Sequence, residues 1–221
     1  MHNINLPCLA LVINAALASQ ATLAERGYEG YSDVLDEEPW FDGVKSTIEY
    51  VEPTAIIADV CAWAGVNNNA DQMAWLQTGW GQRPGETAKI YWEYTTQNDV
   101  WRMGFGEAPT TEGQNYQVSH EENNAEWTNG GVVYKTVVWE GNFDNANFNA
   151  VYYGAEVNNR EEDHVPGVED NKNNFRNSEA RKVGEDFSAT GLSTERDSAV
   201  NGHVEKSPAN SDTHFATWYA E

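Results

Sequence analysis

Apolar and polar residues alternate with a period of two through much of the chain between residues 27 and 182, the pattern of strands that bury one face. Residues 44–51 and 55–63 read as the first two strands, parted by the breaker Glu52-Pro53, and Asn67-Asn68-Asn69 marks a turn. A third strand spans 73–80 and ends before Arg83-Pro84-Gly85, and a short fourth covers 89–95. Residues 116–121 form another; 132–140 follow with the Val, Tyr and Thr content that favours extended chain, and 148–157 come after the polar turn 141–147. Late strands are expected near 174–182 and 213–219, with 189–212 a long polar loop. No amphipathic helix is visible after Arg26. Many short strands punctuated by Gly, Asn and Pro predict an all-β sandwich or barrel.

A chain of 221 residues buries one sizeable core, so a single domain is expected over 27–188, preceded by an apolar segment (1–26) and followed by a polar tail or long loop with a last strand (189–221). Residues 6–18 resemble a signal-peptide core, and Ala16-Leu17-Ala18 has the form of a cleavage site, but no Lys or Arg precedes them. Export is therefore an expectation that rests mainly on the resemblance given below. No apolar run reaches the roughly 18 residues of a membrane span. Cys8 and Cys61 are too few for a disulfide framework or a thiolate zinc site; a single bridge between them is left open.

Charge narrows the partners. Against 13 Lys and Arg stand 35 Asp and Glu, giving a net charge of -22, which opposes binding to phosphate backbones and to anionic membrane surfaces. The acidity fits either high salt, which screens the repulsion, or acid, which neutralises the carboxylates. The 9 Trp, 10 Tyr and 7 Phe are many for so polar a chain, and some of these rings are expected to line a surface.

Three polar residues stand out on strand faces. Alternation puts Gln77 with Met73, Trp75 and Gly79, an amide on an aromatic and glycine face that can donate to an oxyanion or hold a water. Glu156 ends the stripe Phe148, Ala150, Tyr152, Gly154, where desolvation can raise its pKa toward that of a proton carrier. Glu93 lies beside Tyr91 and offers a second carboxylate, the equipment of glycosidic hydrolysis at a suitable separation. The five histidines lack ligand-like spacing, and no phosphate-loop, dinucleotide or nucleophile-elbow motif occurs, so neither metal nor cofactor is expected.

The segments Gly27-Tyr28-Glu29-Gly30-Tyr31, Ala62-Trp63-Ala64-Gly65-Val66, Trp75-Leu76-Gln77-Thr78-Gly79 and Tyr91-Trp92-Glu93-Tyr94 resemble, in order, the first half of the glutamic peptidases, the eqolisin family. Gly154-Ala155-Glu156-Val157, Val165-Pro166-Gly167 and Phe175-Arg176-Asn177 resemble the second half. The resemblance implies a concanavalin-like jelly-roll sandwich of antiparallel strands with a concave face. It also implies a secreted endopeptidase acting in acid on polypeptide without metal. It places the family's glutamine on Gln77 and its glutamate on Glu156, the latter as general base and then acid, with Gln77 holding the water and the oxyanion. Trp63, Trp75, Trp92, Glu93 and Tyr152 become candidates for substrate binding, although alternation alone does not put Trp92 on the side of Glu93. Ala125-Glu126-Trp127 is a rival for the glutamate, set aside because Glu126 falls in an Asn- and Gly-rich turn with too few strands between it and Gln77. Two other functions remain open, a non-catalytic module binding glycan or peptide and a structural or surface-assembly protein.

Overall fold

The computed structural model describes residues 26–68, 74–95, 101–121, 124–138, 148–189, 192–208, 210 and 212–220. The apolar segment 6–18 with Cys8, Met73 and the turn 141–147 lie outside them. The strands are β1 (Gly27–Val34), β2 (Phe41–Ile48), β3 (Val60–Asn67), β4 (Trp75–Gln82), β5 (Lys89–Thr95), β6 (Trp101–Phe105), β7 (Gln114–Glu121) and β8 (Asn124–Asn129). They continue with β9 (Val132–Val138), β10 (Ala150–Val157), β11 (Gly167–Val168), β12 (Asn171–Lys182), β13 (Ser188–Ala189), β14 (Thr194–Asp197), β15 (Gly202–Lys206) and β16 (Phe215–Tyr219). No helix is present among the described residues, so none there is long and apolar enough to cross a membrane.

Two sheets stack as a jelly-roll sandwich. One has seven strands in the order β14-β1-β10-β3-β4-β5-β6; the other has nine, following β15-β16-β11-β12-β2-β7-β8-β9, with β13 paired to β12. The pairs are antiparallel except β11 with β16. Alternation builds the core directly: Ala62, Ala64, Val66, Leu76, Trp80, Ile90, Val151 and Tyr153 from the first sheet meet Val44, Ile48, Tyr116, Val118, Trp127, Phe175 and Phe215 from the second. The residues between them on each strand of the first sheet face outward.

The boundaries moved in informative ways. Residues 55–59, expected to be extended, precede a β3 that runs on through Asn67, because pairing to both β4 and β10 outweighs the turn preference of asparagine. Residues 27–34, read only as a glycine and aromatic motif, form a full strand between β10 and β14. Glu126 is not in a turn: β8 carries Trp127 into the core. The expected tail contributes β14, β15 and β16, which complete edges of both sheets. β16 is the late strand expected near 213–219, while polar composition hid β14 and β15, since edge pairing uses backbone groups and needs few apolar side chains.

Candidate functional site

The outer face of the seven-stranded sheet is a lattice of rows fixed by register. One row runs Ser32, Tyr152, Gly65, Gln77, Glu93, Met103 across β1, β10, β3, β4, β5 and β6. The next runs Gly30, Gly154, Trp63, Gly79, Tyr91, Phe105, and beyond it stand Tyr28, Glu156, Cys61 and Gly81. Cys61, Trp63, Tyr91, Ala150 and Tyr152 form a cluster of their own, packed with Tyr28, Val34 and Met103 and separate from the inter-sheet core.

Glycine shapes this face by close approach. A Cβ on Gly79 would strike the carbonyl oxygen of Ala62 and lie 2.7 Å from the Cα of Trp63, so β3 and β4 meet there only without a side chain. Gly79→Ala should destabilise the fold by about 2 kcal/mol, as forced overpacking does; urea unfolding against wild type measures it, and an unchanged midpoint would mean the strands part freely.

Gln77 and Glu93 meet at the centre. The Gln77 amide donates to Glu93 Oε2 at 2.7 Å and to the Tyr91 hydroxyl at 3.3 Å, while Trp101 Nε1 donates to Glu93 Oε1 at 2.6 Å. Glu93 is fully buried. Burial pushes its carboxyl well above the usual range, and the charge of Glu156 adds to this; the bonds from Trp101 and Gln77 and the charge of Arg26 oppose it without winning. Burial, then Glu93 and Glu156, likewise raise the Tyr91 hydroxyl well above its ordinary value. The backbone oxygen of Gln77 is fixed from below by Trp127 Nε1 at 3.2 Å.

Glu156 is buried on the same face, with Arg26 Nη1 3.8 Å from its Oε1. Gln77 pairs with Gly65 and Glu156 with Cys61, so the two are offset by two strands and four residues, about 16 Å between Cα atoms at the usual strand spacing and rise. The residue level with Gln77 across Gly65 is Tyr152. The charge of Glu156 nonetheless acts on both Glu93 and Tyr91, the two partners of the Gln77 amide.

Of the other predicted residues, Trp63 and Tyr152 lie on this face 6.5 Å apart by ring centroids, and Tyr28 is 5.7 Å from Trp63. Trp75 shares the alternation of Gln77, one row away, opposite Asn67 and Thr95. Trp92 is a correction: it packs against the inter-sheet core, 5.5 Å from Trp127 and 5.8 Å from Tyr94. Strand parity puts it opposite Glu93. Sequence reasoning missed Trp101 and Arg26. The alternation of Trp101, Met103 and Phe105 was the available signal for β6, too short to stand out beside its neighbours. No group of three His, Cys, Asp or Glu among the described residues could hold a metal ion.

No family model matches the chain, and no curated protein matches it. Solved structures do. Scytalido-glutamic peptidase with a transition state analog inhibitor aligns at a TM-score of 0.61 and 18% identity, over 89% of this chain and 99% of that one. SCP-B, a member of the eqolisin family of peptidases in complex with the tripeptide Ala-Ile-His, aligns at 0.61 and 15% identity, over 89% and 99%. The likeness is one of fold: this chain has the sandwich of the glutamic peptidases.

Proposed function

We propose that the outer face of the seven-stranded sheet binds polypeptide, with Gln77, Glu93 and Tyr152 as its polar centre. The carrying observation is the row Tyr152, Gly65, Gln77, Glu93. Gly65 and Gly154 let Trp63, Gln77 and Tyr28 pack down onto the sheet, which holds a few polar groups fixed among aromatic side chains, as a site for an extended backbone requires. That fold accommodates a tripeptide in SCP-B, which supports the same substrate class here. A glycan platform fits less well, because the Trp63 and Tyr152 rings are tilted by 41° to one another instead of coplanar.

Acid hydrolysis is the second reading, favoured by a carboxyl whose hold on its proton burial strengthens, beside an amide donor, Glu93 and Gln77. A protonated Glu93 can donate a proton but cannot take one from water. Water activation would then fall to Glu156, whose charge acts on Glu93 and Tyr91. Export belongs to the same proposal, supported by the disulfide at Cys61, a bond that persists in oxidising compartments.

Calorimetry with Ala-Ile-His, beside digestion of a denatured protein between about pH 2 and 5, separates the two readings. Binding without cleavage is expected, with Gln77→Ala and Tyr152→Ala each weakening affinity at least fivefold. Cleavage that disappears in Glu156→Gln would overturn the binding reading in favour of hydrolysis.

A further inference from the structure

Two of the chain's 13 basic residues line one cavity at the end of the outer face. A turn at 83–88 joins β4 to β5, and Gly81, Arg83, Glu86, Thr87, Lys89 and Phe105 enclose a space of about 50 Å³ beside it. That is several times the roughly 10–15 Å³ that one water requires, and it suits a group the size of a carboxylate. Register sets the cavity on the same face as Gln77 and Glu93. Gly81 lies level with Cys61 on one side and Lys89 on the other, and Phe105 is level with Tyr91. Between Gln77 and the cavity, β4 contributes only Gly79 and Gly81 to that face.

Neither cation is closely paired. Arg83 Nε lies 3.9 Å from Asp59 Oδ1, and Lys89 Nζ lies 3.9 Å from Glu86 Oε2, both beyond hydrogen-bond distance. The Nε of Arg83 is buried without a hydrogen-bond partner among the described residues, a deficit that a bound acceptor relieves. Its guanidinium is nonetheless held in place, 5.2 Å over the ring of Phe105. The turn is held as well. Glu86 N donates to Arg83 O at 3.1 Å, the Gln82 amide to Glu86 O at 3.1 Å, and the Tyr50 hydroxyl to Gln82 Oε1 at 3.0 Å. Cations fixed in this way recognise a planar anion, because the guanidinium fork matches the geometry of a carboxylate.

We propose that this cavity takes a carboxylate of the bound peptide, with Arg83 and Lys89 donating to its two oxygens, and so fixes which way the peptide lies across the face. That the carboxylate belongs to a peptide rests on the binding reading above; the carboxylate site itself does not. Gln77 and Gly81 are four residues apart on β4, about 13 Å at the rise of a strand, and a tripeptide spans up to about 10 Å. With one end near Gln77, the other comes within reach of the long Arg83 and Lys89 side chains. The carboxyls of Glu93 and Glu156 stand in the other rows, and Arg26 is already 3.8 Å from Glu156. Those rows suit the ammonium end of a peptide better than its carboxylate.

Two titrations of the full chain at about pH 5, where a free carboxylate is ionised, test it. In nitrogen-15 NMR the Arg83 Nε–H resonance should shift with N-acetylglycine and stay put with N-acetylglycinamide. No shift, or equal shifts, would overturn the site whatever else the face binds. In calorimetry Ala-Ile-His should bind about tenfold more tightly than its C-terminal amide. Arg83→Gln and Lys89→Gln should each remove most of that ratio and leave affinity for the amide unchanged, a selectivity that general damage to the fold does not produce. Ala-Ile-Asp with an amidated C-terminus separates the two sources of a carboxylate. Affinity that falls in Arg83→Gln assigns the cavity to an acidic side chain; unchanged affinity, with the acid-to-amide ratio of Ala-Ile-His intact in wild type, assigns it to the chain end. If neither carboxylate responds to Arg83→Gln, the proposal fails and the peptide-binding reading stands. An N-acetylglycine shift with no tripeptide binding would keep the carboxylate site and sink the peptide-binding reading instead.

Discussion

Replacing Trp127 by alanine should lower stability by about 4 kcal/mol, the range for truncating a large aromatic in a packed core, and should loosen the outer face of the seven-stranded sheet. Trp127 is fully buried and stacks 5.7 Å from Tyr94 and 5.5 Å from Trp92, joining the two sheets. Its indole also donates to the Gln77 backbone oxygen, so the truncation leaves a buried carbonyl without that donor as well as a cavity. Trp127→Phe keeps most of the packing and loses only the hydrogen bond; it should cost about 1 to 2 kcal/mol. Urea unfolding reads both. A loss below about 1 kcal/mol for Trp127→Ala would show that the sheets are held together elsewhere. Weakened Ala-Ile-His binding in Trp127→Phe, at temperatures where it stays folded, is the sign that the indole positions Gln77.

The same residue shows what alternation reveals and what it conceals. Period two assigned the faces of β4, β5 and β10: Gln77 lies opposite Leu76, Glu93 opposite Trp92, and Tyr152 with Glu156; Phe148, expected on that last stripe, precedes β10 and enters the inter-sheet core instead. It carries no information about which strand lies beside which, or at what offset. That β10 inserts between β1 and β3, and that Tyr152 instead of Glu156 comes level with Gln77, are properties of register. Register is set by contacts distant in sequence. Trp127 was hidden because Asn and Gly around it signal a turn, while the energy of burying an indole between Trp92 and Tyr94 overrides that local preference. β14 went unseen for the opposite reason: its Thr-Glu-Arg-Asp sequence has no apolar face, and it is held by pairing to β1 and by the turn that follows it.

That turn makes stability depend on pH, with a sign that bears on the acidity of the chain. Glu29 of β1 is fully buried, and its Oε1 accepts from the backbone N–H groups of Ser198 at 2.9 Å and Ala199 at 2.8 Å. Burial lifts its carboxyl from 4.5 to about 8; the Ala199 bond opposes this, and the charge of Asp197 adds to it. Burial also lifts Asp59 from 3.8 to about 6, against the pull of Arg83, and drives Glu93 well upward. Between its unfolded and folded values each group has already lost its proton in the unfolded chain while the folded chain still holds it. Stability from these groups is therefore fully present below about pH 4. It is lost as pH rises, through about 6 for Asp59 and about 8 for Glu29.

For Glu29 alone the loss reaches up to about 4 kcal/mol by pH 8, at about 1.4 kcal/mol per tenfold change. Wild type should melt highest near pH 4.5 and progressively lower at pH 6 and 8, while Glu29→Gln, which cannot ionise, should flatten the slope and melt above wild type at pH 8. A wild-type melting temperature that climbs from pH 4.5 to 8, or a slope that Glu29→Gln leaves intact, would sink this account. Salt divides the two explanations of the net charge of -22. Molar NaCl screens repulsion between exposed carboxylates, but leaves the desolvation of a buried one nearly untouched. If molar salt at pH 8 restores the melt of pH 4.5, the surface charge governs and the chain is adapted to brine. If the deficit persists in salt and disappears in Glu29→Gln, buried carboxyls govern, and the fold is built to be most stable in acid.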